Sequence, residues 1–225
     1  AGIAWRGITS SADGTKVVAT VYDGNIWTSS DSGANWTEIT SVGAMKKWTA
    51  ITSSADGTKL AVGVNNGNIW TSTDSGANWT ENTSTGAGKQ WYVITSSDDF
   101  TKLAAAVNNG NIWISTDSGA NWTEITSTGA GKVWRGITSS ADGTKLVAVG
   151  SGSNIWTSSD SGATWTENTS AGNLSDWRDV TSSSDGTKLA AVMYNGNIWT
   201  FATATPIPIN NFIIQDGTII SRGTN

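Results

Sequence analysis

Short runs of β-branched, aromatic and Thr residues alternate with clusters of Gly, Asp, Asn and Ser along most of the chain, and no segment sustains a 3.6-residue apolar period. The pattern predicts strands and turns with almost no helix. In the first stretch, residues 5–9 form a candidate strand and Ser-Ala-Asp-Gly at 11–14 a turn. Residues 16–21 form a second strand, closed by Asp23-Gly24. Residues 25–29 form a third, closed by a turn at 31–35, and residues 36–40 a fourth, from which a Gly-containing connection leads to Trp48. Asp-Gly and Asn-Gly between β-rich runs are strong hairpin signals, because glycine accepts the positive φ of a tight turn.

The four-strand pattern recurs every 43 residues. Trp5, Trp48, Trp91, Trp134 and Trp177 form one column, Trp27, Trp70, Trp113, Trp156 and Trp199 a second, and Trp36, Trp79, Trp122 and Trp165 a third, so all 14 Trp belong to the repeat. Four strands in a repeat of this length predict an all-β fold, a five-bladed β-propeller of four-stranded antiparallel blades. Repeats start near residues 5, 48, 91, 134 and 177, within a domain spanning 1–204. A twisted four-stranded sheet with bulky residues on both faces is not stable alone; stacking blades around an axis buries both, and Trp fills the wedge between them. A β-solenoid or a sandwich also fits the strand pattern.

The segment Ser-x-Asp-Ser-Gly-Ala-(Asn/Thr)-Trp, at 29–36, 72–79, 115–122 and 158–165, resembles the Asp-box, or BNR, repeat of sialidase-type propellers. With the repeat, the resemblance covers about residues 1–202. It implies that Asp31, Asp74, Asp117 and Asp160 bond turn amides on the rim, while Trp36, Trp79, Trp122 and Trp165 pack into the blade. An Asp that caps its own turn is also what the residues suggest directly. Proteins of this kind include sialidases, glucan hydrolases, sorting receptors, assembly factors and sugar-binding propellers, so the fold does not carry an activity.

Composition narrows the chemistry. The chain has no Cys and no His, which removes thiolate and imidazole sites, disulfides and a Ser-His-Asp triad. A net charge of −5 disfavours a general nucleic-acid partner, and no apolar run is long enough to span a membrane. The chain starts at Ala1 without a signal-peptide pattern, which leaves open whether a Met or a leader preceded it. A sialidase needs an arginine cluster, a Tyr-Glu nucleophile pair and an acid. Arg6, Arg135 and Arg178 follow the first-column Trp of three repeats, with Thr49 and Tyr92 at the matching positions. They read either as an anion site on the axis or, more simply, as blade-edge residues. Glu38, Glu81, Glu124 and Glu167 are the only glutamates, all on the expected outer strand. The expectation is therefore no enzyme, no cofactor and no metal; the Asp-x-Gly-x-Asn of the box lacks the oxygen ligands of a calcium loop. The Asn-Trp-Thr sequons at Asn35, Asn78 and Asn121 are forced by the same box.

Positions that differ between repeats are free for function. They lie in the connections at 41–47, 84–90, 127–133 and 170–176, and in the turns Tyr22-Asp23, Asn65-Asn66, Asn108-Asn109, Ser151-Gly152 and Tyr194-Asn195. Both loop types are expected on the face opposite the Asp boxes. Glycan sites there would use Trp48, Trp91 or Trp134 with Asn66, Asn109 and Lys89; the same residues also read as inter-blade packing and turn formers. A glycan or a cell-surface protein is the expected partner, outside the cell.

The fifth repeat breaks after Trp199, and no box follows. Residues 205–225 carry Pro206 and Pro208 and then Phe212, Ile213, Ile214, Ile219 and Ile220 around Asp216-Gly217. This segment is expected either to close the fifth blade in cis or to pair with a neighbouring subunit, giving a homo-oligomer or filament. The competing function is thus a structural subunit of a surface assembly.

Overall fold

A computed structural model describes residues 2–43, 46–169, 176–202 and 213–215. It contains five four-stranded antiparallel units, each a meander in which consecutive strands pair. The first is β1 (Trp5–Ser10), β2 (Val17–Gly24), β3 (Ile26–Ser29) and β4 (Thr37–Ile39); the second β5 (Lys46–Ser53), β6 (Leu60–Gly67), β7 (Ile69–Ser72) and β8 (Thr80–Asn82). The third is β9 (Lys89–Ser96), β10 (Leu103–Val107), β11 (Ile112–Ser115) and β12 (Thr123–Ile125); the fourth β13 (Val133–Ser139), β14 (Leu146–Ser151), β15 (Ile155–Ser158) and β16 (Thr166–Asn168). The fifth is β17 (Trp177–Ser182), β18 (Lys188–Met193), β19 (Ile198–Ala202) and β20 (Ile213–Gln215). No helix occurs among the described residues.

Turn chemistry sets these boundaries. Asp23, Asn66, Asn109 and Asn195 close the second hairpins with φ between 52° and 59°, a left-handed conformation that Asn and Asp tolerate better than other side chains. In the box turn, Asp31 Oδ1 accepts from the Asn35 amide at 2.8 Å and from Ser29 Oγ at 2.8 Å, and Trp36 Nε1 donates to the Gly33 carbonyl at 3.0 Å. The amide bond to the box Asp recurs at Asp74, Asp117 and Asp160. A second turn acid plays the same part: Asp13 accepts from Ser11 Oγ at 2.6 Å and from the Thr15 amide at 3.0 Å. The two turns lie at the same end, because the Ser32 amide donates to the Thr15 carbonyl at 2.9 Å.

The core lies between units. The first strands of successive units pack against one another and are innermost, while β4, β8, β12 and β16 are outermost. Each interface sets a Trp and an Ile or Val of one first strand against the third-strand Ile of the preceding unit, as with Trp48 and Ile51 against Ile26, and Trp177 and Val180 against Ile155. The first strand comes so close to the next unit that a side chain at Gly136 would lie 2.9 Å from the Val180 backbone nitrogen. Among the described residues the first and fifth units show no such packing, and the first unit presents a concavity of about 540 Å³ lined by Trp5, Ile8, Trp27 and Trp36.

The fifth unit takes its fourth strand from the end of the chain: Ile198 pairs with Gln215, Trp199 with Ile214 and Thr200 with Ile213. Phe212, Ile219 and Ile220, also expected to contribute, lie outside the described residues.

Candidate functional site

In all five units the first strand carries an irregularity directly after its Trp. The register passes from Trp5 opposite Val21 to Gly7 opposite Thr20, from Trp134 opposite Gly150 to Gly136 opposite Val149, and from Trp177 opposite Met193 to Asp179 opposite Val192. The extra residues are Arg6, Arg135 and Arg178. The matching break in β9 sets aside Tyr92, and that in β5 falls at Thr49 and Ala50. A bulge re-aims the side chain it sets aside, and here it does so on the innermost strand. The arginine column therefore lies on the innermost strand, which is also the edge strand of its four-stranded sheet.

These side chains meet the second-hairpin turns and the inter-unit connections. Arg178 lies over the Tyr194 ring at 4.5 Å and donates to Asp176 Oδ2 at 2.8 Å. Arg135 lies over Tyr92, contributed by the preceding unit, at 4.9 Å, and its Nε is buried without a hydrogen-bond partner among the described residues. Asp176 has its carboxyl held below the usual range, first by a hydrogen bond from Ser151 and then by Arg178 and Arg135, against the opposing effect of burial. Arg178 thus pairs with Asp176, and Arg135 adds to the positive field around it. In the first two units Arg6 and Lys47 both approach the Tyr22 ring at 5.9 Å, and Asn65 Nδ2 lies 3.4 Å from Tyr22 Oη. The third unit places Asn108 Nδ2 3.2 Å from Gln90 Oε1. Planar guanidinium groups stacked on rings are preorganised to receive carboxylates. Arg6, Lys47, Arg135 and Arg178 outweigh the acids of the adjoining turns and connections, Asp23 and Asp176, in an otherwise acidic chain.

Other residues that the sequence nominates take different places. Trp48, Trp91 and Trp134 are 0, 2 and 0 % exposed. Their rings lie inside the inter-unit core, so they offer no face to a sugar, and the packing reading is the one the geometry follows. Trp48 Nε1 and Trp134 Nε1 donate to the Gly24 and Gly110 carbonyls, both at 3.1 Å. Lys89 lies over the Trp113 ring at 4.8 Å, as Lys46 and Lys132 do over Trp70 and Trp156. Asn66 and Asn109 are exposed turn corners. Glu38, Glu81, Glu124 and Glu167 each accept from an Asn on the adjoining hairpin at 2.8–3.0 Å. No cluster of three or more acidic, His or Cys side chains that could hold a metal occurs among the described residues. Sequence reasoning misses Tyr92, Tyr194 and Asp176 as members of the arginine site. Their signal is the divergence of their own columns, which on its own marks only loop positions.

Antiparallel four-stranded units with their first strands innermost define a β-propeller fold. Solved structures agree. The chain is similar to YCF48 bound to D1 peptide (TM-score 0.68, 18 % identity, 94 % of this chain and 69 % of that one). It is similar to the GH74 enzyme of Niastella koreensis (TM-score 0.70, 14 % identity, 87 % and 36 %) and to a chain of a nidogen/laminin complex (TM-score 0.68, 17 % identity, 89 % and 76 %). These identities speak to the fold alone. No protein-family model matches the sequence, and no curated protein does.

Proposed function

We propose that this chain is a non-catalytic binding propeller whose five repeats are its blades, and that it receives an acidic segment of a protein partner at the end opposite the Asp-box turns. The observation that carries this reading is the bulge column: Arg6, Arg135 and Arg178 are set aside from the innermost strands and backed by Tyr22, Tyr92 and Tyr194. Charge-assisted bonds from a preorganised guanidinium are about twice as strong as neutral ones, so such a column favours carboxylates. The solved neighbours add support in kind, since one holds a D1 peptide and another is part of a nidogen/laminin complex. The non-catalytic assignment rests on the glutamates, which are engaged with Asn side chains on the outer hairpins. A glycan partner loses its main support with the burial of the Trp rings.

Panning a displayed random-peptide library on the immobilised protein tests the reading, with the double variant Arg135→Gln/Arg178→Gln as counter-screen. Enrichment of Asp/Glu-rich peptides that the variant fails to retain is expected. Recovery of peptides without acidic bias, or of acidic peptides that the variant holds equally well, would overturn it.

A further inference from the structure

The chain contains three Asn-Gly pairs, Asn66-Gly67, Asn109-Gly110 and Asn195-Gly196, and each sits at the turn between the second and third strands of its unit. The fold fixes both members of the pair. The corner needs a left-handed backbone, which Asn66, Asn109 and Asn195 adopt with φ of 59°, 56° and 52°. The next position has no room for a side chain: a Cβ at Gly67 or Gly110 would lie 2.8 Å from Cγ1 of Val64 or Val107, and one at Gly196 2.8 Å from Met193 Cβ. Turn geometry and packing together therefore require a dipeptide with a reactivity of its own. An Asn is most open to attack on its side chain when Gly follows, because a residue without Cβ leaves its amide nitrogen unhindered.

The surroundings single out the same three residues. Asn66, Asn109 and Asn195 are exposed, and their side chains make no hydrogen bond among the described residues. Other asparagines differ in both neighbour and engagement. Asn25, Asn68, Asn111 and Asn154 each donate to a glutamate and precede Ile. Asn35, Asn78 and Asn121 donate to the box Asp and precede Trp.

We infer that Asn66, Asn109 and Asn195 are sites of spontaneous deamidation. The Gly nitrogen loses its proton and bonds to the Asn Cγ, the Cγ–Nδ2 bond breaks, and ammonia leaves a cyclic succinimide. Water then opens one of the two imide C–N bonds, giving Asp in one case and isoAsp in the other. The sum is amide plus water to carboxylic acid plus ammonia, with no change of oxidation state. The first unit shows that the Asp product fits, since Asp23 holds the same corner with φ 57° before Gly24. The turn resists the attack to different degrees. The Gly110 amide donates to the Val107 carbonyl at 3.0 Å and the Gly196 amide to the Met193 carbonyl at 3.4 Å, so freeing the Gly196 nitrogen loses less. Each conversion adds a carboxylate at the end where the arginine column lies, and Asn195 adjoins Tyr194, the ring beneath Arg178. The sites stand independently of the acidic-partner reading; a loss of affinity for such a partner rests on it.

Incubation of the whole chain in mildly alkaline buffer, followed by peptide mapping with mass spectrometry, tests the inference. The free peptide Met-Tyr-Asn-Gly-Asn-Ile, the sequence of residues 193–198, serves as the reference under the same conditions. Conversion should be confined to the three Asn-Gly sites, run faster as pH rises, and proceed several-fold faster at Asn195 than at Asn109. All three sites still intact when the free peptide has largely converted, or conversion spread evenly over Asn25, Asn35, Asn68 and their counterparts, would overturn the inference. Equal rates at Asn109 and Asn195 would overturn the ordering drawn from the turn bonds. The aged protein should also bind the acidic peptide selected by fresh protein several-fold more weakly. Unchanged affinity after full conversion would count against the acidic-partner reading and leave the modification sites standing.

Discussion

Trp134→Ala and Trp5→Ala remove the same side chain from the same column with different consequences. Trp134 is fully buried between the third and fourth units and donates to the Gly110 carbonyl at 3.1 Å. A buried Trp removes about 150–250 Å² from water, which at about 25 cal/mol per Å² amounts to about 4–6 kcal/mol. Losing the hydrogen bond adds about 1 kcal/mol. Trp5 is 52 % exposed and leans edge-on against Trp27 at 6.3 Å, so about half of that burial, or about 2–3 kcal/mol, is at stake. Urea unfolding followed by far-UV circular dichroism should therefore show Trp134→Ala costing about 3–4 kcal/mol more than Trp5→Ala. Equal costs would refute the reasoning, because they would mean that the first unit's face is as covered in solution as the interior ones.

Three further outcomes follow from the turns and the inner strands. Gly33 and Gly162 share a φ near 86°, but a side chain at Gly33 meets nothing nearer than 3.8 Å, whereas at Gly162 it meets Ile114 Cγ2 at 2.6 Å. Thermal melts should place Gly33→Ala about 1 kcal/mol below wild type and Gly162→Ala about 1–3 kcal/mol lower again. The turn carboxyls set an acid limit. Hydrogen bonds from Ser11, Asn35, Ser54 and Ser140 lead the effects that hold Asp13, Asp31, Asp56 and Asp142 at about 2, against an ordinary value of 3.8. Because the folded values lie below the unfolded ones, this stability is fully present above about pH 4 and is lost as pH falls towards 2. Melting temperature should be flat from about pH 7 to pH 5 and drop between about pH 4 and pH 2; a drop already complete at pH 5 would count against it. Gly136→Ala should destabilise by about 1–3 kcal/mol in the same melts, since its neighbour is backbone and not a yielding side chain.

Most of the scaffold is readable in the chain. The three Trp columns and the Asp-Gly and Asn-Gly turns locate the units because they encode local geometry, which a 43-residue repeat states again and again. The surroundings of each Trp are not readable. Trp48 has the chemistry of a sugar platform and the position of a core residue, and only the packing of Ile26 and Ile51 around it decides. The arginine column is visible, but its meaning is not, because a bulge is a property of strand pairing: nothing in Trp-Arg-Gly says that Arg6 is the residue without an opposite number. The relation between the first and fifth units is hidden for a related reason. A repeat specifies how neighbours touch, not the rotation between them, so whether the fifth unit meets the first is not written in any one unit.

The role proposed for Arg135 and Arg178 is to bind carboxylates at the end of the propeller opposite the Asp-box turns. Isothermal titration of the acidic peptide selected by wild type, against wild type and Arg135→Gln/Arg178→Gln, tests it most directly. Affinity should fall at least about a hundredfold in the variant, about tenfold for each charge-assisted hydrogen bond removed, with an unchanged melting temperature. Equal affinity for the two proteins would contradict it.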